Sequence, residues 1–149
     1  MQSFVAILIG LFAMAVPTTS ASLSSQLKRS LTTCNYKNFT FALQTDCGFV
    51  SIHGLWPEGS DCNYCTSVAF NESSLSATTL AGMNKYWKSC AGGNSNLQFW
   101  EHEWSRHGTC SGLDQNTYFT TALQMFNQFG SKCSSACDLC IERSTLTLC

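Results

Sequence analysis

The chain has 149 residues, only 11% of them charged, and a net charge of −1. That length holds one domain at most. The near-neutral balance excludes the basic stripe of a tight nucleic-acid binder, so any nucleic acid is engaged through a few local contacts.

Residues Phe4 to Val16 form an apolar run of thirteen, followed by the small, polar stretch PTTSAS. The run is too short to cross a bilayer as a helix but suits the core of a secretory signal peptide. Thr19 and Ala21 stand at the −3 and −1 positions of a cleavage after Ala21. The expected organisation is a leader over residues 1–21 and a single domain over 22–149, with no membrane attachment once the leader is removed. All ten cysteines follow the leader, from Cys34 to Cys149. An even count behind a leader reads as a disulfide framework made in an oxidising compartment, of undetermined pairing. Two sequons, at Asn38 and Asn71, are compatible with glycosylation on the same route.

FTFALQ, residues 39–44, alternates Phe39, Phe41 and Leu43 on one face, as a half-buried strand does. GFVSIH, residues 48–53, reads as a second strand ending at Gly54, and a loop with Pro57, Gly59, Cys62 and Cys65 follows. Between Ser74 and Trp87, Leu75, Leu80, Met83 and Trp87 fit a helix loosely, with Ser74 or Ser76 as its cap. GGNSN breaks the chain at residues 92–96. FWEHEWSRHGTC, residues 99–110, reads as a second helix. DQNTYFTTALQMFNQFG predicts a third, burying Phe119, Ala122, Leu123, Phe126 and Phe129 and capped by Gly130. The cysteine-rich tail from Ser131 is expected to be stapled loop and short strand. Together these predict an α+β fold, an antiparallel sheet packed with helices and stabilised by disulfides.

Chemistry concentrates in FWEHEWSRHGTC. On a helix, Phe99, His102, Glu103, Arg106 and His107 share an arc of about 140°, while Glu101 and Ser105 point away. Trp100 and Trp104 flank the arc, placed to anchor the helix. The plain reading of such a face is intrahelical pairing of Glu103 with His107 or Arg106. Against it, the chain has three histidines, two lie in this arc, and the third, His53, ends a strand in SIHGLWPEG. A zinc-protease reading of HEWSRH fails by one residue, because its histidines are five apart rather than four. The pairs Cys62/Cys65 and Cys137/Cys140 leave a four-cysteine zinc site open as a remote alternative.

SIHGLWPEG and FWEHEWSRHGTC, in that order and with a strand before the first, resemble the two active-site segments of the ribonuclease T2 family. The likeness runs from about Phe39 to Phe129. It implies an acid endoribonuclease, secreted or vacuolar/lysosomal, monomeric and free of cofactor or metal, acting on single-stranded RNA and not on DNA. His107 is then the base that takes the ribose 2′-OH proton, and His53 the acid that protonates the leaving 5′-oxygen, giving a 2′,3′-cyclic phosphate. Imidazoles suit both tasks near neutral pH. The resemblance gives His102 and Arg106 the phosphate oxygens, Glu103 the orientation of its neighbours, and Trp56 and Phe99 the bases. The sequence differs from the family pattern in three places. Arg106 stands where lysine is usual, the segment before the second strand is shortened, and only twenty residues follow Phe129. The alternative these differences leave open is an impaired, ribonuclease-like protein that binds RNA or a protein partner.

Overall fold

The computed structural model describes residues 34–90 and 92–149. The expected leader lies outside the described residues. Three strands, β1 (Asn38–Gln44), β2 (Ser51–Pro57) and β3 (Cys137–Glu142), form a sheet in the order β2-β1-β3, antiparallel throughout. Three helices complete it: α1 (Ala77–Tyr86), α2 (Asn96–Arg106) and α3 (Gln115–Phe129). The expected α+β architecture is present.

The alternation in β1 decides the layers. Phe39, Phe41 and Leu43 are buried, and each lies level with an apolar residue on both sides: Pro57 and Ile141, Leu55 and Leu139, Ile52 and Cys137. That sheet face closes against Met83 of α1, Trp87, and Tyr118, Phe119, Ala122 and Met125 of α3. Side chains here are fully withdrawn from water, Phe41, Ile52, Leu55, Met83, Trp87, Tyr118, Phe119 and Ile141 among them. Fully burying a side chain of this kind contributes about 1.5–3 kcal/mol. The opposite face carries Asn38, Thr40, Ala42, Gly54 and Trp56, and the functional chemistry gathers there.

Three element boundaries differ from the sequence reading, those of β2, α2 and α3, while the α1 cap is one of its two expected candidates. β2 continues through Gly54 to Pro57, because a bulge at His53 leaves Gly54 paired with Ala42 instead of ending the strand. α1 is capped by Ser76, whose side chain accepts from the Thr79 N–H, while Ser74 closes a separate 3₁₀ turn. α2 starts at Asn96, where Ser95 and Gln98 form a reciprocal capping box, and it ends at Arg106. Gly130 keeps a right-handed conformation and leads into the 3₁₀ turn Gly130–Lys132, so it is not a left-handed cap. The buried stripe of α3 is also rotated from the expected one. Tyr118, Phe119, Ala122 and Met125 are interior, and Leu123, Phe126 and Phe129 are only half-buried. Tyr118 turns inward because its hydroxyl donates to the Leu55 carbonyl at 2.9 Å, so a phenol is buried without losing its hydrogen bond.

All ten cysteines are paired: Cys34–Cys62, Cys47–Cys90, Cys65–Cys110, Cys133–Cys137 and Cys140–Cys149. Neither C-x-x-C pair keeps a thiolate, which overturns the four-cysteine zinc alternative. Cys65–Cys110 spans 45 residues and clips the loop after β2 to the turn that follows α2. A bridge closing a loop of that size restricts the unfolded chain by roughly 4 kcal/mol. Among the described residues no helix is long and apolar enough to cross a membrane.

Candidate active site

A bulge in β2 sets the site. Ala42 of β1 lies opposite Gly54 and Leu43 opposite Ile52, so His53 is the extra residue on its strand. The bulge restores alternation on both sides: Ile52 and Leu55 face the core, while Gly54 and Trp56 face away. The bulged His53 carbonyl does not go unpaired. It accepts from the buried Trp87 indole at 2.8 Å, and the Trp87 carbonyl accepts from the Trp100 indole at 2.7 Å. Trp100 thus ties α2 to the bulge. Trp104 anchors the same helix, donating to the Val68 carbonyl at 2.9 Å. Both tryptophans are buried, as an anchoring role requires.

So held, α2 lays Glu103 over Gly54. Glu103 as a residue is 1% exposed. Its Oε2 accepts from the Trp56 Nε1–H at 2.8 Å, and its Oε1 stands 3.9 Å from His53 Nε2. Gly54 makes this approach possible: a Cβ there would sit under 3.0 Å from both the Trp56 indole and the Glu103 carboxyl. His107 follows the last turn of α2, with its N–H donating to the Glu103 carbonyl at 3.0 Å. Its ring stacks on Trp56, centroids 5.1 Å apart and planes 28° from parallel. The other edge of this assembly is His53, 5.1 Å from Trp56 in an edge-on contact and 5.7 Å from Phe99. Phe99, His53, Trp56 and His107 form one continuous row of rings, with Glu103 beneath it.

His102 and Arg106 lie on the same helix but are exposed. Arg106 Nε donates to Asn63 Oδ1 in the loop after β2 at 3.2 Å, and its carbonyl accepts from the Tyr64 N–H. The intrahelical pairing of Glu103 is thus not what the fold adopts; Glu103 bonds across to β2 instead. Of the seven residues singled out in the sequence, five touch one another in one cluster and two stand at its solvent side.

Electrostatics in the cluster follow from burial. Taking Glu103 out of water pushes its carboxyl up to about 7, against the opposing pull of the Trp56 hydrogen bond and the Arg106 charge. Burial drives His107 the other way, down to about 3, helped by the charges of Arg106, His102 and His53. His53 is also lowered by burial, which Asp46 and Asp138 counteract and His102 reinforces. At mildly acidic pH this leaves His107 a free base and Glu103 a neutral acid. One imidazole can then take a proton while a neighbouring carboxyl donates a hydrogen bond without repelling an anion.

Three contributors escaped the sequence reading. Gly54 reads as a strand terminator, yet a lone glycine inside a strand pattern is also a bulge signal. Trp87 reads as a helix-face residue, and its spacing does not show that it partners a bulged carbonyl. Asp138 sits in the tail, and nothing local connects it to His53.

Residues 21–136 match the model of the ribonuclease T2 family. Intracellular ribonuclease LX of Solanum lycopersicum is 44% identical over 77 residues, covering 49% of this chain and 32% of that protein. A ribonuclease-like storage protein of Panax ginseng is 43% identical over 84 residues, covering 53% and 35%. The chain therefore spans about a third of the length of these curated relatives. Ribonuclease MC1 from the seeds of bitter gourd superposes with a TM-score of 0.57 at 30% identity, over 63% of this chain and 59% of that one. With the matched segment running from residue 21 across both motif-bearing stretches, the chain belongs to the ribonuclease T2 family.

Proposed function

We propose that this chain is an endoribonuclease that cleaves single-stranded RNA by attack of the 2′-OH, leaving a 2′,3′-cyclic phosphate. His107 takes the proton from the 2′-OH, and His53 delivers one to the departing 5′-oxygen. The nucleophile belongs to the substrate, so DNA is not cut and the chain needs no covalent intermediate of its own. Glu103, protonated below about pH 7, offers its proton toward a phosphoryl oxygen instead of repelling it. His102 and Arg106, exposed beside the cluster, supply positive charge to the pentavalent transition state. Arginine in place of lysine grips two oxygens at once and suits this task. Phe99 presents a half-buried ring to one base. Trp56 meets another only with surface that His107 leaves uncovered.

The observation that carries this reading is the contact of Trp56 with both His107 and Glu103, beside His53. Two imidazoles and one buried carboxyl gathered against a single indole support an acid–base role for this group. Five disulfides support a route through an oxidising compartment, with residues 1–21 as its leader and a vacuole or the exterior as its end. Asn71 is exposed and Asn38 half-buried at the start of β1, so Asn71 is the more accessible sequon.

The test is cleavage of single-stranded RNA at pH 5 in EDTA by the oxidised protein, with His107→Ala as control. Cyclic-phosphate ends that vanish in the control are the expected result. A folded protein that cleaves nothing refutes the catalytic reading and favours an RNA- or protein-binding role on an abbreviated scaffold.

A further inference from the structure

We infer that strand β3 belongs to the active-site apparatus: Asp138, with Asp46, forms a carboxylate wall across a cavity from His53 and acts on the reaction through that histidine. This rests on the acid role proposed for His53. β3 begins at Cys137, just beyond the residues that match the family model.

The geometry comes from the register. Gly54, Ala42 and Asp138 lie level across β2, β1 and β3, and so share one sheet face. Adjacent strands are about 4.8 Å apart, which puts the Asp138 backbone roughly 10 Å from Gly54. Ala42, level with both on the middle strand, is buried and adds only a methyl to this face. Beside Asp138, where β3 starts and β1 ends, lies a cavity of about 370 Å³ whose walls include His53, Asp46, Gln44 and Asp138. Cys133–Cys137 fixes the start of β3, one residue before the aspartate.

The groups that face His53 divide by element. Helix α2 brings His102, Phe99 and the Glu103 carboxyl, β2 brings Trp56, and His107 lies beyond that ring. On that side positive charge and burial both strip the proton that a leaving-group acid must hold. The opposing charge comes from Asp46, in the β1–β2 connection, and from Asp138. Both are exposed, so neither is needed to fill the core. The same wall repels phosphate, so the RNA backbone enters from the side of His102 and Arg106.

Asp138 is therefore a positioning residue, and the test reads His53 directly. The ring-proton resonances of His53 and His107 are followed by NMR from pH 3 to 8 in the full, disulfide-bonded chain at low salt. Asp138→Asn is expected to lower the His53 midpoint by about 0.3 pH unit, the worth of one screened charge at roughly 10 Å. Adding Asp46→Asn deepens the shift, Asp138→Glu restores it, and 0.5 M salt shrinks it, while the His107 midpoint moves less. In RNA cleavage, the alkaline limb of kcat/KM moves by the same amount. A His53 midpoint unchanged in the double variant, or not restored by glutamate, overturns the inference. A shifted midpoint in a protein that cleaves no RNA refutes the endoribonuclease reading and leaves the wall intact.

Discussion

Replacing Glu103 by glutamine isolates the cost of burying one carboxyl. Glutamine has the shape of the protonated acid, and its oxygen can still accept from the Trp56 indole. In the native protein the carboxyl holds its proton up to about pH 7, whereas the unfolded chain releases it near 4.5. A group that binds its proton more tightly when folded stabilises the fold while the proton is on. That contribution is complete below pH 4.5 and is lost as pH rises through 7. The difference corresponds to about 3 kcal/mol. His107 slopes the opposite way, because its neutral form is favoured on folding. Its share is present above pH 6.5 and is lost as pH falls toward 3. The histidine is common to both proteins, so it largely cancels in their difference. Urea unfolding with disulfides intact, at steps from pH 4.5 to 8, is the assay. The variant should match the wild type near pH 4.5 and exceed it by about 3 kcal/mol near pH 8. Parallel curves over that window would mean Glu103 ionises normally inside the protein, and the argument from burial would fail.

The other expectations concern the contacts around that carboxyl. Gly54→Ala inserts a Cβ into space held by the Trp56 indole and Glu103, and should cost about 1–3 kcal/mol in chemical denaturation. Because Gly54 has no left-handed backbone to relax, a neutral result would show that the two side chains move aside freely. Trp56→Phe keeps a ring against His107 but removes the hydrogen bond that holds the Glu103 proton affinity down, so the Glu103 midpoint should rise further by NMR titration. An unchanged or lower midpoint counts against the assigned bond. Replacing Cys65 and Cys110 together by alanine should lower stability by roughly 4 kcal/mol, measured by denaturant midpoint, and a loss near zero would place the constraint elsewhere.

The parts of this fold that can be read from sequence are those whose signal is local. Phe39, Phe41 and Leu43 announce β1 by period alone, and the arc of Phe99, Glu103 and His107 needs only the pitch of a helix. What escaped depends on a partner distant in the chain. The bulge at His53 is stabilised by the Trp87 indole thirty-four residues later, so SIHGLW shows a glycine but not its purpose. The rotation of α3 follows from a carbonyl on β2 that takes the Tyr118 hydroxyl, which no periodicity within the helix reveals. Asp138 reaches the site only because β3 pairs beside β1, and cysteine counts alone do not choose among pairings. The trapped proton of Glu103 belongs to the same class, since its cause is what covers it.

Two hydrogen bonds from aromatic side chains have a consequence for association. β2 is the outer strand on its side of a small sheet, and such a strand ordinarily offers free backbone groups as a template for another chain. Here the carbonyls of His53 and Leu55 are already taken by the Trp87 indole and the Tyr118 phenol. On the opposite rim, the Glu142 and Cys149 N–H groups bond to Thr147 and Cys140 carbonyls, folding the tail back along β3. Both rims of the described sheet are blunted, one by rings and one by the chain itself. A three-stranded sheet can thus present polar chemistry on one face without becoming a seed for strand-by-strand aggregation.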